Sequence, residues 1–184
     1  MTYDRNTLYT LKHDRVHEVC GPSALSFTAV QATSRQGPIL WVKEKWRTEQ
    51  LNPAGLIDFF PPEKLLVAAT STQTETLAVA EEALRSGVSS MVVMELSAAL
   101  DLTAGRRLQL AARAGTAMGL AIISQGSGSN AAETRWQCSP VFDTKDSTLQ
   151  KWELIKNKSG TLGVWNVRWS ASSRRINVVS ETGK

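Results

Sequence analysis

Five short apolar runs, each leading into a stretch with the character of a helix or a loop, constrain this chain more than any other feature. Val16-His17-Glu18-Val19-Cys20 runs into Gly21-Pro22 and a helix expected over 23–34, with Ser23 at its cap. Ile39-Leu40-Trp41-Val42 reads as a buried strand entered through Gly37-Pro38, and Asn52-Pro53 opens a helix that stops at Pro61-Pro62. Leu65-Leu66-Val67-Ala68 is a third strand; residues 72–86 carry Leu77, Ala80 and Leu84 at helical spacing and end at Gly87. Met91-Val92-Val93-Met94 is a fourth strand. A helix is expected over 103–118 with Leu108, Ala111 and Ala112 inward, and Leu120-Ala121-Ile122-Ile123 is a fifth strand. Strands alternating with helices predict right-handed βαβ units and a mainly parallel sheet, so the fold class is α/β.

The texture changes after Gln125. Gly126–Asn130 is a flexible loop, and from Thr134 onward TRWQCSPV, KWELIKN, LGVWNVRWS and INVVS predict antiparallel strands added at one edge. At 184 residues the chain suits one domain, expected over 15–184 behind a short tail at 1–14. Its 42% hydrophobic and 21% charged residues exclude a disordered chain. No apolar run approaches the ~18 residues of a membrane span, and the polar start excludes a secretory leader. Two cysteines and two histidines are too few for a disulfide framework or a four-ligand zinc site. The expectation is a cytoplasmic protein in reduced surroundings, with no metal and no cofactor. His13 and His17 are assigned no role.

Charge is unevenly placed. Residues 134–184 hold 9 basic and 4 acidic side chains, against 12 and 13 in the rest. That basic end is either a surface for nucleic acid or an acidic partner, or a solvated strand-rich face.

Sites in such a sheet lie at the carboxyl ends of the parallel strands. There the chain reads Gly21-Pro22-Ser23-Ala24-Leu25-Ser26-Phe27-Thr28, to be set against the phosphate-binding pattern G-x-x-x-x-G-K-[ST]. Gly21 and Thr28 match; Ser26 replaces the second glycine and Phe27 the lysine. Loss of that lysine removes a charge-assisted contact worth roughly 1.5–3 kcal/mol, so productive ATP hydrolysis is not expected. Glu95 stands after the fourth strand, where a magnesium-associated acid would sit. Glu44 stands after the second, where a water-activating carboxylate would sit, and Gln125 closes the fifth at the place of a terminal-phosphate sensor. Each is alternatively a solvated strand end.

These residues, with Leu84-Arg85-Ser86-Gly87, the run Met91–Leu100 and the strand Leu154-Ile155-Lys156-Asn157-Lys158, resemble the RecA recombinase core from about residue 16 to 169. More closely, Val16–Pro22, Leu51–Leu56, Glu81–Gly87 and Glu133-Thr134-Arg135-Trp136 resemble the ImuA family of RecA-like accessory proteins in bacterial inducible mutagenesis. The resemblance implies a noncatalytic role in translesion synthesis during the DNA-damage response. It implies RecA, an ImuB-like polymerase hub and, through that hub, an error-prone replicative-type polymerase as partners, with direct DNA binding weak or absent.

In RecA-type filaments two lysines with one residue between them reach the neighbour's ATP. Lys156 and Lys158 match them, and residues two apart on a strand share a face. The expectation is a protein that docks on one end of a RecA filament and caps it; the alternative is two exposed strand lysines. Among the six tryptophans, Trp41 reads as core. Trp152, Trp165 and Trp169 interleave with Lys151, Arg168, Arg174 and Arg175 in the basic end. They read as core or protein-interface anchors, or as a platform for single-stranded bases. Two other functions stay open: a SulA-like division inhibitor binding an FtsZ-type GTPase, and a weak residual ATPase using Glu44 and Glu95.

Overall fold

The apolar runs fold into β1 (Val16–Cys20), β2 (Ile39–Glu44), β3 (Leu65–Thr70), β4 (Met91–Glu95) and β5 (Met118–Ile122). The basic end supplies β6 (Thr134–Pro140), β7 (Leu149–Asn157), β8 (Gly163–Ser170) and β9 (Arg175–Glu181). These elements come from a computed structural model, which describes residues 9–181. All nine strands lie in one sheet ordered β3-β2-β4-β5-β1-β6-β7-β8-β9.

The antiparallel extension begins one strand later than expected. β6 lies parallel to β1, with Glu18 opposite Arg135 and Val19 opposite Trp136, and only β7, β8 and β9 run antiparallel. The cause is the segment 123–133, which carries the chain back from the carboxyl end of β5 to the amino end of β6 without a helix. β6 therefore enters the sheet in the same direction as β1.

Among the described residues there are four α-helices, α1 (Ala24–Ala32), α2 (Pro53–Leu56), α3 (Gln73–Ser86) and α4 (Leu102–Gly115), of which α1, α3 and α4 pack on the sheet. Strand side chains alternate between faces. On one face Val19, Trp41, Val93, Leu120, Trp136 and Trp152 pack with Phe27 of α1. On the other, Val42, Val92, Met94 and Ala121 pack with Ala80 and Leu84 of α3 and Leu108, Ala111 and Ala112 of α4. Tyr9 and Leu11, within the stretch expected as a tail, are buried in the first of these cores. Residues 1–8 of that tail lie outside the described residues.

Local chemistry sets the helix ends. Thr72 accepts from the Glu75 amide and Asp101 from the Ala104 amide, as N-caps do. Ser23 makes no such side-chain bond. Asn52 caps α2 through the Ala54 amide, but α2 is a single turn that buries no residue, so the helix expected to reach Pro61 ends at Leu56. α4 stops at Gly115 rather than at 118. A Cβ on Gly115 would lie 1.9 Å from the Leu84 carbonyl oxygen. Close packing against the end of α3 ends the helix there, and Thr116 turns the chain with φ 52° before β5. Among the described residues, no helix is long and apolar enough to cross a membrane.

Candidate functional site

The turn after β1 holds three residues, Gly21-Pro22-Ser23, because α1 starts at Ala24, the fourth position of the eight-residue pattern. Gly21 has φ 94°, and a Cβ there would meet the Cys138 carbonyl oxygen at 2.4 Å. The Ser23 amide donates to that same carbonyl at 3.1 Å and the Ala24 amide to Gly21 O, also at 3.1 Å. The Ser23 and Ala24 amides are thus turned onto β6 and back onto the turn itself. Thr28 is fully buried, and its hydroxyl donates to the Ala24 carbonyl at 2.8 Å. Phe27 is 0% exposed. Its ring lies 5.4 Å from Trp136 and 4.7 Å from Trp152, between centroids. Ser26 is half-buried on the wall of a cavity beside Trp169.

Glu44 and Glu95 close adjacent strands, but the register Trp41↔Val93 and Val42↔Met94 puts them on opposite faces. Both carboxylates nonetheless interact with Arg47. Glu95 accepts from the Trp41 indole at 2.7 Å and sits 3.7 Å from the Arg47 guanidinium. Arg47 also donates to the Leu96 carbonyl and lies over the exposed Trp46 ring at 5.1 Å. Glu44 is buried beside the start of α3. The Ser97 hydroxyl, then Trp46, Arg47 and the Gln73 backbone, hold its carboxyl below the usual range against the opposing effect of burial. Its Oε2 makes no hydrogen bond among the described residues. Gln125 is exposed on the turn after β5.

The other end of the sheet carries a charged cluster. Glu18 is 1% exposed. It accepts from Arg135 Nε at 2.7 Å and from the Ser129 amide at 2.8 Å, while Arg135 Nη2 donates to the Ser129 carbonyl at 2.9 Å. This triangle pins the loop 124–130 to the sheet. Gly128 sits beneath the guanidinium, where a Cβ would overlap Arg135 Cζ at 1.8 Å. Lys158 donates to the Ala131 carbonyl at 2.6 Å and Lys156 to the Ala132 carbonyl. Both ammonium groups therefore converge on one short segment of their own chain. Burial first, then Lys158 and Arg135, lower the Lys156 pKa. Lys12 bonds Glu133 at 2.8 Å. Burial raises the Glu133 carboxyl, but Lys12, His17 and Arg15 outweigh it and leave it below the usual range.

His17 is fully buried beside this cluster. Its Nε2 lies 3.0 Å from the Lys12 carbonyl and its Nδ1 2.7 Å from the Thr134 hydroxyl. A carbonyl only accepts, so Nε2 carries the proton and Nδ1 accepts from Thr134. Burial pushes the imidazole down to about 4. It is a structural, neutral histidine.

Sequence reasoning passed over Glu18, Arg135 and Ser129. The signal was present: a carboxylate inside the apolar run VHEVC must find a buried cation. Of the aromatic residues in the basic end, Trp152 and Trp165 are 1% and 8% exposed and pack edge-on to Tyr9. Core packing, not an open interface or stacking platform, is their place. Trp169 is half-buried and stacks on Phe59 at 4.8 Å. Arg168 is exposed and paired with Asp146, whereas Arg174 and Arg175 are exposed at the entry to β9. Among the described residues no group of three or more His, Cys, Asp or Glu is placed to hold a metal.

The class defined so far is an α/β protein with a mainly parallel sheet, a filled turn after β1 and a lysine pair at the far end. No family model matches the chain. It is similar to Protein ImuA from two strains of Caulobacter vibrioides, each 28% identical over 144 residues. The match covers 76% of this chain and 55% of each relative, so the chain spans about half the length of the curated relatives it matches. That similarity, though distant, supports an ImuA-type assignment.

Proposed function

We propose that the chain is a noncatalytic RecA-like accessory protein of translesion synthesis that docks on the end of a RecA filament. The observation that carries this reading is the placement of Lys156 and Lys158. β7 is antiparallel to β6, so they lie at the amino ends of the parallel strands, away from Gly21-Pro22-Ser23 at the carboxyl end. An anion gripped by these lysines has to come from another molecule. Each ammonium carries three donors, so bonds to Ala131 and Ala132 leave further donors for a phosphate. RecA-bound ATP is the proposed target.

The filled turn supports the noncatalytic part. Phe27 occupies the lysine position within the core, and the turn's amides are committed to carbonyls of the chain. A protein that offers lysines to a neighbour but holds no nucleotide of its own ends a filament instead of extending it. The likeness to Protein ImuA supports an ImuB-like polymerase hub and an error-prone replicative-type polymerase as further partners.

The test is RecA's single-strand-dependent ATP turnover, titrated with this protein and with the Lys156→Ala/Lys158→Ala double variant. Substoichiometric inhibition that the variant loses is the expected result. No effect from either protein overturns the capping mechanism and shifts weight to an adaptor meeting only the polymerase hub, or to a SulA-like inhibitor of an FtsZ-type GTPase. Measurable ATP binding by the chain itself would revive the residual-ATPase reading.

A further inference from the structure

Among the described residues the nine-stranded sheet ends at β9 with an unpaired edge: Arg175-Ile176-Asn177-Val178-Val179-Ser180-Glu181 pairs with β8 alone. Between Arg175 and Ser180 there is no proline or lysine, two residues that commonly block such an edge. The apolar layer on the α1 side also stops short here. It continues from Trp165 and Val167, which are buried, through Trp169 to Ile176 and Val178, which are only half-buried. A cavity of 190 Å³ lies under this layer, walled by Val30, Phe59, Val167, Trp169 and Ile176. A second, of 320 Å³, opens beside Trp169 toward Arg174 and Arg175.

Charge gives the occupant its chemistry, because the cations of this region are divided. Arg135, Lys151 and Arg168 are already paired with Glu18, Glu153 and Asp146. Arg174 touches only the Phe59 carbonyl, and Arg175 forms no ion pair among the described residues. On β8 and β9, positive charge without a carboxylate partner among the described residues therefore sits at the start of the free edge; Lys156 and Lys158 of β7 lie at the opposite end of the strands, on the Ala132 and Ala131 carbonyls.

We propose that β9 is the docking edge for an extended acidic segment of a partner protein. The segment adds as a tenth strand, with apolar side chains on the face of Ile176 and Val178 and carboxylates on the alternate positions toward Arg174 and Arg175. Main-chain bonds supply affinity in this mode and alternate side chains supply specificity. The opposite edge, β3, is also unpaired, but it carries no charge within Leu65–Thr70. It names no partner chemistry.

The test uses a proline-free synthetic peptide alternating valine or isoleucine with aspartate or glutamate, and follows affinity together with backbone amide exchange. Slowed exchange confined to residues 175–181 is expected. The exposed pair Arg174→Glu/Arg175→Glu should weaken binding about tenfold or more. An unchanged urea midpoint shows that the charge-reversed protein is folded. Lys156→Ala/Lys158→Ala should bind the peptide as the parent does, which separates this edge from the RecA-facing reading. Four results overturn the proposal: no peptide binding, protection elsewhere, equal binding of a lysine-bearing version of the peptide, or tighter binding of oligodeoxythymidine through the same arginines. Self-association that protects β9 without peptide would assign the edge to a second copy of the chain and overturns it as well.

Discussion

The two ends of the sheet differ in what fills them. At the carboxyl end of β1, the place where a nucleotide would bind has been taken by the core: Phe27 sits between Trp136 and Trp152, and the turn leans on the Cys138 carbonyl. At the amino end, charge has been kept and organised, with Glu18, Arg135, Lys156 and Lys158 arranged around the segment 129–132. An apolar plug is stable without a ligand. At the amino end Lys12, Arg15, Arg135, Lys156 and Lys158 surround two buried carboxylates, Glu18 and Glu133. One end of the sheet is thus filled by apolar rings and the other by charge.

The comparison breaks most visibly at Phe27. Replacing it with lysine restores one of the two missing letters of the phosphate pattern, Ser26 being the other, yet should yield no ATP binding and should cost at least about 3–5 kcal/mol, the range for losing a buried aromatic ring. Urea denaturation and a nucleotide-binding titration check both halves. ATP binding by a folded Phe27→Lys protein would show that the plug alone silences the site.

At the charged end, Arg135→Ala leaves Glu18 buried and unpaired, and should cost about 3–5 kcal/mol in urea melts. The paired change Glu18→Leu/Arg135→Met should cost much less, because no charge is then stranded. Amide exchange of 124–130 should quicken in both, since the loop loses its anchor.

His17 gives the charged end a pH signature. The folded protein holds it neutral down to about 4, whereas the unfolded chain protonates it near 6.5. Between those values the unfolded state binds more protons, so stability falls as pH is lowered from about 6.5 to about 4. The loss at the acid end is about 3 kcal/mol, from ~1.4 kcal/mol per pKa unit. His17→Gln should flatten that part of the stability–pH curve. Smallest in stability is Lys156→Ala/Lys158→Ala, expected to move the urea midpoint by less than about 1 kcal/mol, as partly exposed side chains do. Its effect on RecA turnover should nonetheless be large.

Much of the fold was legible because apolar runs and breakers repeat it locally. Val16–Cys20, Met91–Met94 and the strands after Thr134 lie where the residues place them, and Gly87 ends α3 in a left-handed conformation with φ 67°. The direction of β6 was not legible, since hydrophobic alternation is the same for parallel and antiparallel neighbours. Nor was the end of α4, which depends on how closely Gly115 approaches Leu84. For the candidate site, the missing lysine at Phe27 could be read from the pattern. The opposite faces of Glu44 and Glu95 needed the register between β2 and β4.

The sequence by itself determined the α/β class, the spoiled phosphate pattern and the two-residue spacing of Lys156 and Lys158, because periodicity and residue identity are local properties. Only the tertiary structure decided that Phe27 plugs the core, that Glu18 holds Arg135, and that Trp152 and Trp165 are interior. It also decided that, among the described residues, β9 ends the sheet. Those outcomes depend on which distant segments lie side by side, and strand order and burial are set by the packing of the whole chain.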